Sequence, residues 1–174
     1  QTMALHWSYL PLFYLLTQST THSVSATCTF SQHEDGLHAD CSRRQLTSLP
    51  PTWPADVVWL DMSHNQLSVL TDLSHPHLAH LRHLDLSDNQ LHDTLANHTF
   101  APLQQLRWLS LRDNRLQSVE AGAMTGLGQL TFLDMSHNPL QLDHSSYPPG
   151  VFDPLTSLQD LKIHHNDDSW VGEY

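Results

Sequence analysis

The sequence predicts an α/β solenoid of horseshoe form, with short parallel strands on the concave face and mostly irregular or briefly helical segments returning along the convex side. Three observations carry this. The pattern L-x-x-L-x-L-x-x-N-x-L occurs at Leu81 to Leu91 (LRHLDLSDNQL). It returns with drift at Val57 to Leu67 (VVWLDMSHNQL), Leu106 to Leu116 (LRWLSLRDNRL), Leu130 to Leu140 (LTFLDMSHNPL) and, frayed, Leu158 to Asn166 (LQDLKIHHN). The asparagines Asn65, Asn89, Asn114, Asn138 and Asn166 step by 24, 25, 24 and 28 residues. A leucine at Leu78, Leu103, Leu127 and Leu155 falls three residues before the next copy begins, which fixes the register independently.

A repeat of this length and pattern is a leucine-rich repeat, one coil of a stack that cannot bury its apolar face alone. The chain divides accordingly into 1–26, 27–56, repeats over 57–167 starting near 57, 81, 106, 130 and 158, and a truncated continuation at 168–174. Residues 1–26 contain no Asp, Glu, Lys or Arg, and LPLFYLL at Leu10 to Leu16 precedes the small residues Ser23 to Ala26. This reads as a secretory signal peptide cut after about Ala26, the apolar run being shorter than the roughly 20 residues a membrane span needs. Met3 is the candidate initiator.

The 27–56 segment lacks the repeat asparagine but ends in Leu46, Leu49, Pro50, Pro51 and Pro54, like the closing half of a repeat. It reads as a cap over the apolar end of the first coil. Cys28 and Cys41, an even pair in an exported chain, most simply form one disulfide. Cys28, His33, His38 and Cys41 also give C-x4-H-x4-H-x2-C, so a zinc site is the rival reading.

Within each repeat the L-x-L alternation has period 2. Leu60 and Met62, Leu84 and Leu86, Leu109 and Leu111, Leu133 and Met135, and Leu161 and Ile163 are therefore expected to point into the core from strands stacked about 4.8 Å apart. Each asparagine falls where the chain leaves the sheet, and its amide both donates and accepts, so the five copies should form an interior structural ladder. The return halves carry Leu70 and Leu78; Leu95, Phe100 and Leu103; Val119, Met124 and Leu127; Phe152 and Leu155. Counting places His75 opposite Phe100, with Leu73 as the alternative occupant. The fourth coil is four residues longer, and QLDHSSYPPG at Gln141 to Gly150 reads as an irregular bulge.

Residues alternating with the core leucines face outward in rows. One row reads Trp59, His83, Trp108, Phe132, Asp160; the next Asp61, Asp85, Ser110, Asp134, Lys162; the third Ser63, Ser87, Arg112, Ser136, His164. Aromatics and arginine dominate binding hot spots, so Trp59, Asp61, His83, Asp85, Trp108, Arg112, Phe132 and Asp134 are the candidate ligand or partner residues. The acidic row has no accompanying nucleophile or general acid, and the sequence presents no catalytic constellation or cofactor motif. Asn97-His98-Thr99 is an N-glycosylation sequon in a return segment.

Cys28 and Cys41, ADCS at Ala39 to Ser42, LTSLP at Leu46 to Pro50 and then VVWLDMSHNQL together resemble the amino-terminal end of a Toll-like receptor ectodomain, from about Cys28 to Asn166. The resemblance implies an innate immune pattern-recognition receptor: a single-pass membrane protein whose extracellular or endosomal-lumenal part binds a microbial ligand (protein, lipid or nucleic acid). It also implies a receptor homo- or heterodimer and TIR adaptors engaged through a cytoplasmic part that this sequence does not contain. The alternative is a secreted or matrix leucine-rich repeat protein that binds proteins without signalling.

Charge bears on the ligand. Seven Lys and Arg against 18 Asp and Glu give −11, which disfavours nucleic acid at neutral pH. Removing residues 1–26 leaves 13 of the 15 histidines, and protonating all of them would bring the charge to an upper limit of −11 + 13 = +2. On that count the clusters His75, His77, His80 and His83, and His137, His144, His164 and His165, suggest recognition of an anion such as RNA gated by endosomal pH.

Overall fold

The computed structural model describes residues 28–70 and 73–164. The signal peptide expected at 1–26, Asn166, His165 and the 168–174 continuation lie outside them.

Seven strands form one sheet. An antiparallel hairpin of β1 (Thr29–His33) and β2 (Gly36–Asp40) is followed in parallel by β3 (Val57–Asp61), β4 (His83–Asp85), β6 (Trp108–Ser110), β8 (Phe132–Asp134) and β9 (Asp160–Lys162). The register is the one the repeats dictate, with Leu60 beside Leu84, Leu84 beside Leu109, Leu109 beside Leu133 and Leu133 beside Leu161. Period-2 alternation turns every other side chain inward, and Leu60, Met62, Leu84, Leu86, Leu109, Leu111, Leu133 and Met135 are fully buried. Each such burial is worth roughly 1.5–3 kcal/mol against exposure, so the ladder of leucines is the main term holding coil on coil. Leu161 is 37% exposed because β9 is the last described strand and no described coil packs over it.

The hairpin turns at Gly36, whose φ of 139° suits glycine and where a Cβ would lie 2.7 Å from both Val58 methyls. A disulfide joins Cys28 to Cys41, with Cα atoms 4.3 Å apart, and both cysteines are buried in the core. That bond answers the cap's open question and overturns the zinc reading, since neither thiol is left to ligate a metal.

After each strand the chain leaves the sheet at an asparagine that joins one coil to the one before. Asn89 Oδ1 accepts the Leu67 N–H at 3.0 Å, while Asn89 Nδ2 donates to the carbonyls of Met62 in the preceding coil and Leu86 in its own. Asn114 and Asn138 do the same to Leu91 and Leu116, and Asn65 reaches into the cap, accepting from Arg44 and Leu46 and donating to Cys41. All four are buried, so these bonds form in a weakly screened interior where an unpaired amide would be costly. The residue just before each asparagine adopts a left-handed backbone: His64 at φ 54°, Asp88 at 52°, Asp113 at 51° and His137 at 56°. Histidine and aspartate tolerate that region better than bulky or β-branched residues do.

The return halves are turns, with a 3-10 turn at Pro76–Leu78, and no helix among the described residues is long and apolar enough to cross a membrane. Leu73, 4% exposed, is the residue of this pair that joins the core, and His75 instead caps the 3-10 turn by accepting the His77 N–H. Two features depart from the irregular convex side the sequence suggested. β5 (His92–Leu95) and β7 (Arg115–Val119) pair in parallel as a second small sheet. The long fourth coil continues it through Ser146, whose carbonyl accepts the Val119 N–H at 2.9 Å and whose hydroxyl donates to Gln117 at 2.9 Å. Val151, not Phe152, is the deeply buried apolar residue there, with Phe152 half-buried against Tyr147.

Candidate functional site

The outward residues of successive strands meet as one continuous stack of rings. Trp59 lies on His83 with centroids 5.0 Å apart, His83 on Trp108 at 4.0 Å and Trp108 on Phe132 at 5.1 Å, with planes within 16° of parallel. The stack runs on into the cap, with His38 on Trp59 at 5.4 Å and His33 on His38 at 3.9 Å. At its other end the Lys162 ammonium sits 4.9 Å over the Phe132 ring. The parallel sheet causes this: an in-register neighbour lies one strand spacing away, close to the thickness of a stacked ring pair. His33 and His38 were not visible as members from sequence, because the cap carries no repeat asparagine to set its register. The pairing of His38 with Trp59 across β2 and β3 supplies it.

Trp59, His83, Trp108 and Phe132 are half-buried, each shielded by the rings stacked against it. Burial has an electrical consequence at His83, where desolvation between two indoles lowers the imidazole pKa to about 4, against a smaller opposing pull from the Asp61 carboxylate. His83 is therefore neutral at both pH 7.4 and pH 5.5. This corrects the upper-limit charge count, since one member of the first histidine cluster does not gain a proton in an acidified compartment.

The acidic row is less available than alternation implied. Asp61 Oδ1 accepts the Ser63 N–H at 2.8 Å and Asp85 Oδ1 the Ser87 N–H at 2.9 Å, both carboxylates half-buried. Burial raises the Asp85 pKa, with the Ser87 hydrogen bonds opposing it. Asp134 is 5% exposed and bonded to both the N–H and the hydroxyl of Ser136, so this candidate is a turn-forming residue within the fold rather than a surface contact. Ser63 and Ser136 are buried as well, which removes them from the outward rows. Arg112 is exposed, and its Nε donates to Asp113 at 2.7 Å.

Of the remaining histidines of the first cluster, two gather on Asp56, which accepts from His77 Nδ1 at 2.9 Å and lies 4.0 Å from His80, while His75 packs on the His77 ring at 5.4 Å. The His77 hydrogen bond holds the Asp56 carboxyl below its ordinary range. In the second cluster His137 meets His164 edge to face at 5.9 Å. Asn97 is exposed just after β5, its Oδ1 accepting the Gly122 N–H at 2.6 Å, in the return half of its coil and away from the ring stack.

Comparison with known proteins agrees with this architecture. Models described as Leucine rich repeat match residues 92–140, and 80–101 together with 129–155. The platelet glycoprotein Ib alpha chain of Mus musculus is 36% identical over 154 residues, covering 88% of this chain and 20% of its own length. Leucine-rich repeats and immunoglobulin-like domains protein 3 of Homo sapiens is 32% identical over 147 residues, covering 73% of this chain and 13% of its own. Podocan-like protein 1 of Homo sapiens is 31% identical over 147 residues, covering 72% and 28%. The crystal structure of the TLR13–ssRNA13 complex superposes with a TM-score of 0.66 at 30% identity, over 79% of this chain and 19% of that one. The chain thus spans less than a third of the length of each of these relatives.

Proposed function

The chain is a leucine-rich repeat solenoid, and we propose that it is a non-catalytic recognition segment of a larger ectodomain on the extracellular or endosomal-lumenal side, binding its ligand on the strand face. The observation that carries this is the stack of rings from His33 to Phe132, which runs from the cap across the first four coils on the outer face of the sheet and is half-buried from His38 onward. A fold needs the inward leucines but has no need of aromatics outside, and tryptophan is among the residues that dominate binding energetics.

The finer reading is a Toll-like receptor, with a microbial ligand, a receptor dimer and TIR adaptors belonging to the whole protein. The two-cysteine cap followed by the repeats supports it, as does the likeness to TLR13. The second reading is a secreted or matrix protein that binds protein partners without a TIR domain, favoured by the sequence likeness to podocan-like protein 1. The full-length transcript separates them. A run of roughly 20 apolar residues followed by a TIR-like α/β domain is the expected result, and a reading frame without both removes the Toll-like reading. For the strand face itself, Trp59→Ala with Trp108→Ala in the full-length protein is expected to abolish ligand binding while thermal unfolding stays cooperative. Unchanged binding would assign recognition elsewhere.

A further inference from the structure

We propose that the ring strip receives an extended polypeptide segment of a protein partner, lying across the strip with an acidic side chain held by Arg82 and Arg107. This rests on the strand-face reading above and names the ligand class. The first argument is geometric. His38, Trp59, His83 and Trp108 each have a ring on both faces, and Phe132 has Trp108 on one face and Lys162 on the other. Flat ligands that recognise by stacking, nucleobases among them, find no free face between His38 and Phe132, and only the outer side of His33 at the cap end is uncovered by a ring. What it offers is a row of edges, whose C–H and N–H groups carry positive potential and pair with carbonyl oxygens, methyl groups and the faces of a partner's own aromatics. A polypeptide supplies all three.

The second argument is the charge on the two sides of the strip. Arg82 directly precedes His83 and Arg107 directly precedes Trp108, and the Arg107 N–H donates to the Arg82 carbonyl at 2.9 Å, so the two arginines start from neighbouring backbone positions. Both are exposed, and neither makes a salt bridge or side-chain hydrogen bond among the described residues, whereas Arg112 is held by Asp113 and Arg43 by His64. In a chain with 18 Asp and Glu to 7 Lys and Arg, two adjacent cations without a carboxylate do not follow from a shortage of acids. Guanidinium groups grip carboxylates two-pronged. Further along the same strands, beyond the rings, stand Asp61 and Asp85, each with one oxygen engaged by a serine N–H. The strip is thus cationic on one side and anionic on the other. A segment fits when its acid faces the arginines and its donor groups face the aspartates. A polyanion fits poorly, because nucleic-acid affinity comes from many clustered cations and on this face Arg82, Arg107, Arg112 and Lys162 are interspersed with Asp61, Asp85 and Asp160.

The experiment is selection of random linear peptides displayed on phage against the purified, disulfide-bonded chain, followed by binding of the enriched peptide in solution. The expected motif is Asp or Glu beside aromatic or aliphatic residues. Arg82→Gln with Arg107→Gln should weaken the peptide about tenfold, and changing the peptide's acid to its amide should cost the same in the wild type and nothing more in that variant, as paired charges require. Trp59→Phe with Trp108→Ala should weaken every selected peptide, acidic or neutral. If the ring variant binds as the wild type does, the strand-face reading itself fails. If the rings matter but the two charge changes are additive, the acidic-segment inference fails and the face stands. Enrichment of no peptide, enrichment of basic ones, or tighter binding of a single-stranded RNA oligonucleotide than of any peptide also overturns it.

Discussion

The His83 imidazole lies 4.0 Å from the Trp108 ring and 8° from parallel to it, and that burial lowers its pKa to about 4 from an ordinary 6.5. Between these values the unfolded chain holds a proton at this site that the folded chain refuses. Stability therefore declines as pH falls from about 6.5 to about 4 and levels off below, a contribution of roughly 2 kcal/mol once the solvent screening of this partly exposed ring is discounted from the full shift. Asp85, raised by burial, works the other way in acid, so the wild-type curve mixes the two. The difference between wild type and His83→Phe isolates the histidine. Urea unfolding at pH 7.4 and pH 4.5 should show a smaller acid loss in the variant, which keeps a ring in the stack and has nothing to titrate.

Asn89 ties two coils through bonds to Leu67, Met62 and Leu86, all formed where water is excluded. Asn89→Ala leaves the buried Leu67 N–H without its acceptor, at about 1–3 kcal/mol, whereas the Met62 and Leu86 carbonyls keep the amides of Asn65 and Asn114 as donors. Asn89→Asp keeps the acceptor for the Leu67 N–H but replaces the donor with a buried carboxylate. Denaturant unfolding should find both variants less stable, the alanine by about 1–3 kcal/mol, with the aspartate recovering ground at low pH as its carboxyl takes up a proton and again donates.

Asn97 is exposed, and its Oδ1 is occupied by the Gly122 N–H at 2.6 Å, an arrangement that holds the amide in one orientation. Glycan carried here would cover the return side beside β5 and leave the ring strip open. Chain secreted from eukaryotic cells should lose mass on treatment with an asparagine-glycan endoglycosidase. Asn97→Gln should migrate at the deglycosylated position before treatment, and its binding through the strip should match the wild type.

The leucine rows, the four described asparagines and the outward order of Trp59, His83, Trp108 and Phe132 were legible because period 2 inside the strand and a 24 to 25-residue repeat between strands determine which side chains become neighbours. What escaped depended on contacts that neither period records. His33 and His38 join the stack through a hairpin outside the repeat, and β5 and β7 form where HDTL and RLQSV show no apolar alternation over a common length. Asp134 counted as outward by alternation, yet its bonds to Ser136 draw it in, a matter of side-chain reach and not of register. Arg82 and Arg107 fall between the inward leucine and the outward ring, a position the alternation leaves unassigned.

Two nearby glycines separate backbone necessity from mere presence. Gly126 has φ of 92°, and a Cβ there would lie 2.8 Å from the Ala101 carbonyl oxygen and 2.9 Å from its Cα. Both atoms are backbone of the preceding coil, so neither yields by a rotamer change, and the left-handed conformation adds its own strain for any L side chain. At Gly128 the nearest atom to such a Cβ is Thr156 Oγ1 at 3.8 Å, an ordinary contact. Gly126→Ala should destabilise the fold by about 2–4 kcal/mol, because coils two and three must separate or twist to admit one methyl. Gly128→Ala should change stability by less than about 1 kcal/mol in either direction. Thermal unfolding of the two variants side by side is the check, and equal midpoints would mean that the return halves of these coils are not packed as closely as Ala101 and Gly126 are here.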